Sequence, residues 1–125
     1  MKVAELMQTN LKTISADATI ADAVVDLTEA RVSALPVVDR FGRAVGVLST
    51  REILKAESER LDQSTCVIEI MAAWPTTIDP DLGVRQAAQE MLYLNVQRLF
   101  VEYAGALVGV ISQTDIVGAV ATAKV

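Results

Sequence analysis

The stretch Val108-Gly109-Val110-Ile111-Ser112-Gln113-Thr114-Asp115-Ile116 decides how this chain reads, because it has a twin, Val45-Gly46-Val47-Leu48-Ser49-Thr50-Arg51-Glu52-Ile53. Each begins as an apolar run suited to a buried strand and then reaches Ser-x-x-acid. At that spacing the Ser oxygen accepts from N–H groups that the first helical turn leaves without partners, and the acid sits inside the turn. Each copy therefore predicts strand, sharp turn and helix N-terminus. Such an N-terminus presents unpaired N–H groups and a partial positive charge, which suit an anion such as phosphate. Two copies predict two equivalent ligand places, or one working place and one decayed.

Working outward, the chain superimposes on itself. Shifted by 64 positions, Val3, Glu5 and Met7 fall on Val67, Glu69 and Met71. Thr13-Ile14 falls on Thr77-Ile78, Asp17 on Asp81, Ala23 on Ala87 and Leu35 on Leu99. One residue is lost near Phe41, after which Gly46 falls on Gly109 at an offset of 63. This divides the 125 residues into a repeat at 1–61, a linker at 62–66 and a repeat at 67–125.

Both repeats read β-α-β-β-α, an α/β class. Val3 to Met7 predicts a helical turn or two, and Leu11 to Ser15 a short strand. Ile20, Ala23, Val24, Leu27 and Ala30 form the apolar stripe of a helix. Leu35-Pro36-Val37-Val38 predicts a strand whose Pro, lacking an N–H, belongs at a strand start or an edge. Asp39 to Arg43 predicts a hairpin turn, Ala44 to Leu48 a strand, and Thr50 to about Leu61 a helix. In the second copy Thr76 to Ile78 is the short strand, and Val84, Ala87, Ala88, Met91 and Leu94 face the core from a helix. Arg98 to Tyr103 and Ala106 to Ile111 form a hairpin turning at Ala104-Gly105. The last helix carries Ile116, Val117, Ala119, Val120 and Ala121, apolar nearly all round, which predicts cover on more than one side.

Composition narrows the function. Hydrophobic residues make up 52% and charged residues 22%, ample for a packed core. Mean hydropathy is +0.38, high for a small domain, which buries a smaller share of its surface; a homodimer interface is expected. The net charge of -5, with scattered Lys and Arg, argues against nucleic acid as a partner. No apolar run reaches the roughly 18 residues needed to span a membrane, and no signal peptide is visible, so a cytoplasmic location is expected. One Cys, Cys66, and no His give no disulfide and no zinc set. No carboxylate or lysine constellation suggests catalysis, and no cofactor is expected.

The ordered motifs resemble the paired cystathionine-β-synthase-type (CBS) domain, or Bateman module. Met7, Thr13-Ile14, Leu35-Pro36-Val37-Val38-Asp39 and Gly46-Val47-Leu48-Ser49 follow that family's pattern. So do Met71, Thr77-Ile78, Leu99 and Gly109 through Asp115, and the resemblance covers essentially the whole chain. It implies two α/β repeats packed about a pseudo-twofold axis, with clefts for adenosine-containing ligands: AMP, ADP, ATP or S-adenosylmethionine. It also implies a regulatory, non-catalytic role, alone or toward a partner enzyme or transporter, and association into dimers.

Carried onto this sequence, the resemblance has Asp115 accept from both ribose hydroxyls, two carboxylate oxygens facing a vicinal diol. Ser112 binds phosphate or caps its helix, and Thr114 joins the same nucleotide-binding set. Thr77 and its strand meet the adenine edge, and Arg98, ahead of Arg51, meets phosphate. Thr13, Ala34, Pro36, Ser49 and Glu52 line the other cleft. The sequence departs from the pattern at Glu52, where Asp is usual, and at Phe100, where Pro is usual. Glu102 and Tyr103 also stand in place of a Val and an Asp. Glu52, one methylene longer, is expected to be the better capping-box partner and Asp115 the poorer one. Phe100 either narrows its cleft or stacks on a base.

Plainer readings stand beside these. Both Ser-x-x-acid sets can be simple helix caps, and Arg98 an ordinary surface cation. Trp74 can be a core or dimer anchor rather than a stacking platform. Met7, Met71 and Met91 read as core fillers and Cys66 as inert. The competing function is a structural or interaction module of the same fold that binds no nucleotide.

Overall fold

The computed structural model describes residues 1–73 and 76–122; Trp74 lies outside them. The chain divides into two compact units, Lys12–Trp74 and Met1–Leu11 with Pro75–Val125. The first holds β1 (Ile14–Ser15), α1 (Ile20–Ala30), β2 (Ala34–Val38), β3 (Ala44–Ser49), α2 (Thr50–Ser58) and β4 (Ala72–Ala73). The second holds β5 (Thr77–Ile78), α3 (Val84–Leu94), β6 (Arg98–Tyr103), β7 (Ala106–Ser112) and α4 (Gln113–Ala121).

Each unit is a small sheet carrying two helices. In the first the strand order is β1-β2-β3-β4, with β1 parallel to β2 and the rest antiparallel. In the second the order is β5-β6-β7, with the same parallel start and antiparallel hairpin. Pro36 sits where β1 does not reach, since β1 pairs only with Val37 and Val38. Where Phe100 replaces that Pro, the ladder gains the rung Thr77 to Phe100. A Pro has no N–H to give such a rung.

The packed units are not the sequence repeats. Each repeat opens with a 3-10 turn, Val3–Glu5 or Val67–Glu69, that belongs to the body of the other repeat. Val3 is fully buried among Ile78, Leu99 and Ile111, and its N–H donates to the Leu82 carbonyl at 2.8 Å. Val67 is fully buried among Ile14, Leu35 and Leu48, and its N–H donates to the Ala18 carbonyl at 2.7 Å. The chain after each turn then crosses the last strand of that unit. Ala72 and Ala73 pair with Val47 and Gly46, and Gln8 bridges Val110. This crossing explains the repeated Gly. A Cβ on Gly46 would stand 2.5 Å from Met71 Sδ and 2.7 Å from the Ala72 carbonyl; one on Gly109 would stand 2.6 Å from Met7 Sδ. Met7 and Met71 lie over these glycines, and Met91 lies in the core.

The helices correct several burial expectations. α1 buries Ile20, Ala23 and Leu27, but Val24 and Ala30 face out; α3 buries Val84, Ala87 and Met91, while Leu94 is exposed. A helix on a single small sheet contacts it along a narrow stripe, so the flanking positions stay wet. α2 ends at Ser58 rather than near Leu61. Arg60 turns left-handed (φ 56°), and the Arg60 and Leu61 N–H groups close the helix onto the Glu57 and Ala56 carbonyls. α4 buries only Ile116 and Ala119; Val117 and Val120 are 65% and 60% exposed. The second cover expected for α4 is therefore absent among the described residues.

Candidate functional site

Both helices that follow the Gly-containing strands begin with a Ser cap, but the acids do different things. At α4, the Asp115 N–H donates to Ser112 Oγ (3.1 Å) and the Ser112 N–H donates to Asp115 Oδ2 (2.9 Å), a complete capping box. At α2, the Arg51 N–H donates to Ser49 Oγ (3.2 Å), and the Ser49 hydroxyl itself donates to Glu52 Oε2. This reverses the sequence expectation: Asp115 completes the box and Glu52 does not. The shorter carboxylate meets the backbone N–H, whereas the extra methylene carries Glu52 past it to the hydroxyl.

The helix starts also hold fewer open donors than expected. The Gln113 N–H donates to the Gln97 carbonyl and the Thr50 N–H to the Ser33 carbonyl. Two first-turn N–H groups in each helix are thus taken from within the chain, which weakens the anion-site reading of these termini.

A cavity of about 430 Å³ lies beside Asp115, between the opening segment of the chain and α4. Met1, Glu5, Leu6 and Gln8 line one side, and Thr114, Asp115, Gly118, Ala119 and Thr122 the other. Gln8 Nε2 donates to Asp115 Oδ1 at 3.3 Å. A carboxylate has about four acceptor sites, so after Gln8 and the cap N–H each Asp115 oxygen keeps one. Those two can take two hydroxyl donors.

The other unit holds the same cavity, smaller, at about 240 Å³. Glu69, Ile70, Glu52 and Ala56 stand where Glu5, Leu6, Asp115 and Ala119 stand. The decisive exchanges are Lys55 for Gly118 and Glu59 for Thr122, which put long side chains where the first cavity has almost none.

The remaining expected residues fall around these helix starts. Arg98, half-buried, pairs across the hairpin with Ser112; Ala34 holds the equivalent place opposite Ser49. Thr77 pairs with Phe100, and its hydroxyl donates to Glu102 Oε2 at 3.3 Å. Phe100 is 6% exposed. Pro36 is buried and Thr13, just before β1, is half-buried. Sequence reasoning missed Glu5, Gln8 and Gly118. The repeat of Glu5 at Glu69 was a signal, but nothing in the sequence tied either to the helix that follows the last strand.

Two equivalent α/β units, each with a cavity beside a Ser-x-x-acid helix start, define a tandem α/β repeat. The chain belongs to the CBS domain family, whose model matches residues 3–59 and 67–122. It is 30% identical over 115 residues to the CBS domain-containing protein YhcV of Bacillus subtilis, covering 91% of this chain and 81% of that one. Among solved structures it is similar to CBSX2 in complex with AMP, with TM-score 0.87, 26% identity and coverage of 99% and 98%. It is also similar to the CBS domain protein PAE2072 from Pyrobaculum aerophilum complexed with AMP, with TM-score 0.82, 30% identity and coverage of 98% and 99%. Against MJ1225 of Methanocaldococcus jannaschii, at 24% identity, the chain spans 41% of that protein's length. No helix among the described residues is long and apolar enough to cross a membrane.

Proposed function

We propose that this chain is a regulatory module that binds an adenosine-containing ligand, not a catalyst, and that Asp115 reads the ribose. The observation that carries this is the cavity beside Asp115, whose carboxylate keeps acceptor capacity for a vicinal diol. The AMP named with two relatives of 26% and 30% identity supports the ligand class. Thr114 lines the same cavity, and Ser112 and Arg98, paired across the hairpin at the start of that helix, are assigned to the same site. Thr13, Ala34, Pro36, Ser49 and Glu52 mark a second site, reduced by Lys55. The lone Cys66 fits a reducing compartment such as the cytoplasm.

The test is a thermal-shift screen with AMP, ADP, ATP and S-adenosylmethionine. Ligand at about 100 times its Kd adds roughly 2.7 kcal/mol, a rise of several degrees for a domain of this size. No shift at millimolar ligand would hand the lead to the second reading, an interaction module that binds no nucleotide.

That second reading has its own observation. Leu92, Tyr93, Val117 and Val120, on α3 and α4, are between 60% and 86% exposed. The equivalent positions on α1 and α2 are Thr28, Glu29, Leu54 and Glu57. Such an apolar face favours a homodimer or docking to a partner enzyme or transporter. Light scattering after gel filtration should give twice the 13.4 kDa chain mass; a monomer at micromolar concentration would remove the dimer.

A further inference from the structure

Gly118 lies inside α4, where glycine is the least favourable residue apart from proline. Packing does not require it: a Cβ built there meets nothing within 4 Å. Its φ is not in the left-handed region, which in this chain includes Gly42 and Gly105 but not Gly118. It contrasts with Gly46 and Gly109, where a Cβ would collide with a crossing segment. What Gly118 does face is the cavity beside Asp115. The same position in the other unit is Lys55, and the cavity there has a little over half the volume.

The structure assigns Gly118 as a specificity-determining residue: its missing side chain opens the Asp115 cavity to the uncharged sugar-and-base end of the ligand. This rests on the adenosine reading above and adds which residue admits the ligand. The charge on the wall sets the orientation. Glu5 and Asp115 are both carboxylates, and the lining holds no Lys or Arg side chain, Met1 with its α-ammonium group being its one cationic residue. A phosphate dianion placed there would meet two carboxylates against that single ammonium, whereas a diol donates to Asp115 and finds Gln8, Thr114 and Thr122 around it. The phosphate end is left to point out of the cavity.

The experiment is calorimetric titration of the full chain, Gly118→Ala and Gly118→Lys with adenosine and with AMP. Lys is the residue that the other repeat carries; adenosine, having no charge, removes any attraction of that Lys for phosphate. Both variants should fold with an unliganded Tm equal to or above that of the parent, because the space is empty and both residues favour helix over Gly. Adenosine binding should weaken at least tenfold in Gly118→Lys and a few-fold in Gly118→Ala, and AMP should follow adenosine. Parent-like binding of adenosine by Gly118→Lys, or by Gly118→Ala should the Lys variant not fold, would overturn the assignment alone. A parent chain that binds neither probe would instead overturn the adenosine reading, and this inference with it.

Discussion

Asp115 and Glu52 occupy the same place in two copies of one unit, yet one methylene separates what they do. Asp115 satisfies its own helix start and still faces a roomy cavity; Glu52 is drawn to the Ser49 hydroxyl beside a cavity narrowed by Lys55. The lesson is that a cap and a ligand contact are not exclusive for a carboxylate, which has more acceptor sites than the cap uses. A capping box is therefore weak evidence against binding, and the neighbouring side chains that set the volume decide more.

The largest effect that distinguishes the units should come from the crossings. Gly46→Ala pushes against both Met71 and the Ala72 carbonyl, and a backbone oxygen cannot swing aside. Gly109→Ala meets the Met7 side chain first and the Gln8 carbonyl only at 3.1 Å. Urea unfolding should show a loss of about 3 kcal/mol for Gly46→Ala and nearer 1 kcal/mol for Gly109→Ala, the span typical of overpacking. Equal losses would mean that the two crossings are equally rigid.

Next comes the acid pair. Asp115→Ala should remove at least one charge-assisted hydrogen bond, roughly 1.5–3 kcal/mol, and weaken adenosine or AMP binding about tenfold or more. It should also lose the cap, about 1 kcal/mol of stability. Glu52→Ala should change affinity little. Titration of both variants with AMP decides it: a loss confined to Glu52→Ala would move the working site to the other unit.

Smaller still is the helix exit. Arg31 (φ 54°) and Asn95 (φ 55°) end α1 and α3 in the same left-handed conformation. Asn adopts it more readily than Arg, so Arg31→Asn should raise stability by about 0.5–1 kcal/mol, read as a higher urea midpoint. An unchanged midpoint would mean that Arg31 gains as much elsewhere as its backbone loses.

The smallest effect belongs to the hairpin tips. Backbone hydrogen bonds from Arg43 and Phe41, with the Arg43 guanidinium, hold the half-buried Asp39 carboxyl below its usual range. A depressed folded pKa gives stability that is present above the unfolded value, 3.8, and lost as pH falls through the folded one. The other hairpin turns at Ala104-Gly105, both at positive φ, with no acid at the tip. Asp39→Asn should therefore flatten slightly the acid limb of the stability curve below about pH 4. An unaltered limb would show that the loop gains nothing from the charge.

Much of this is legible in the sequence. Repetition at an offset of 64 named the β-α-β-β-α elements of both repeats but not β4, and turn residues placed both hairpins, though not the register shift each carries. Ser112 and Ser49 were readable as caps because capping is a local interaction over a few residues. Helix faces were read too wide, since periodicity reports which residues are apolar and not how broad a surface they meet.

What the sequence by itself determined is the α/β repeat, its strand and helix order, and the acids at the two helix starts. Those features depend on contacts within a few residues or on a pattern that occurs twice. The tertiary structure alone decided that Val3–Glu5 packs with the second repeat's body and Val67–Glu69 with the first's, that Gly46 and Gly109 are needed beneath Met71 and Met7, and that Gly118 opens a cavity where Lys55 fills one. Each joins residues far apart along the chain, and volume left between such residues has no period or propensity for a sequence to display.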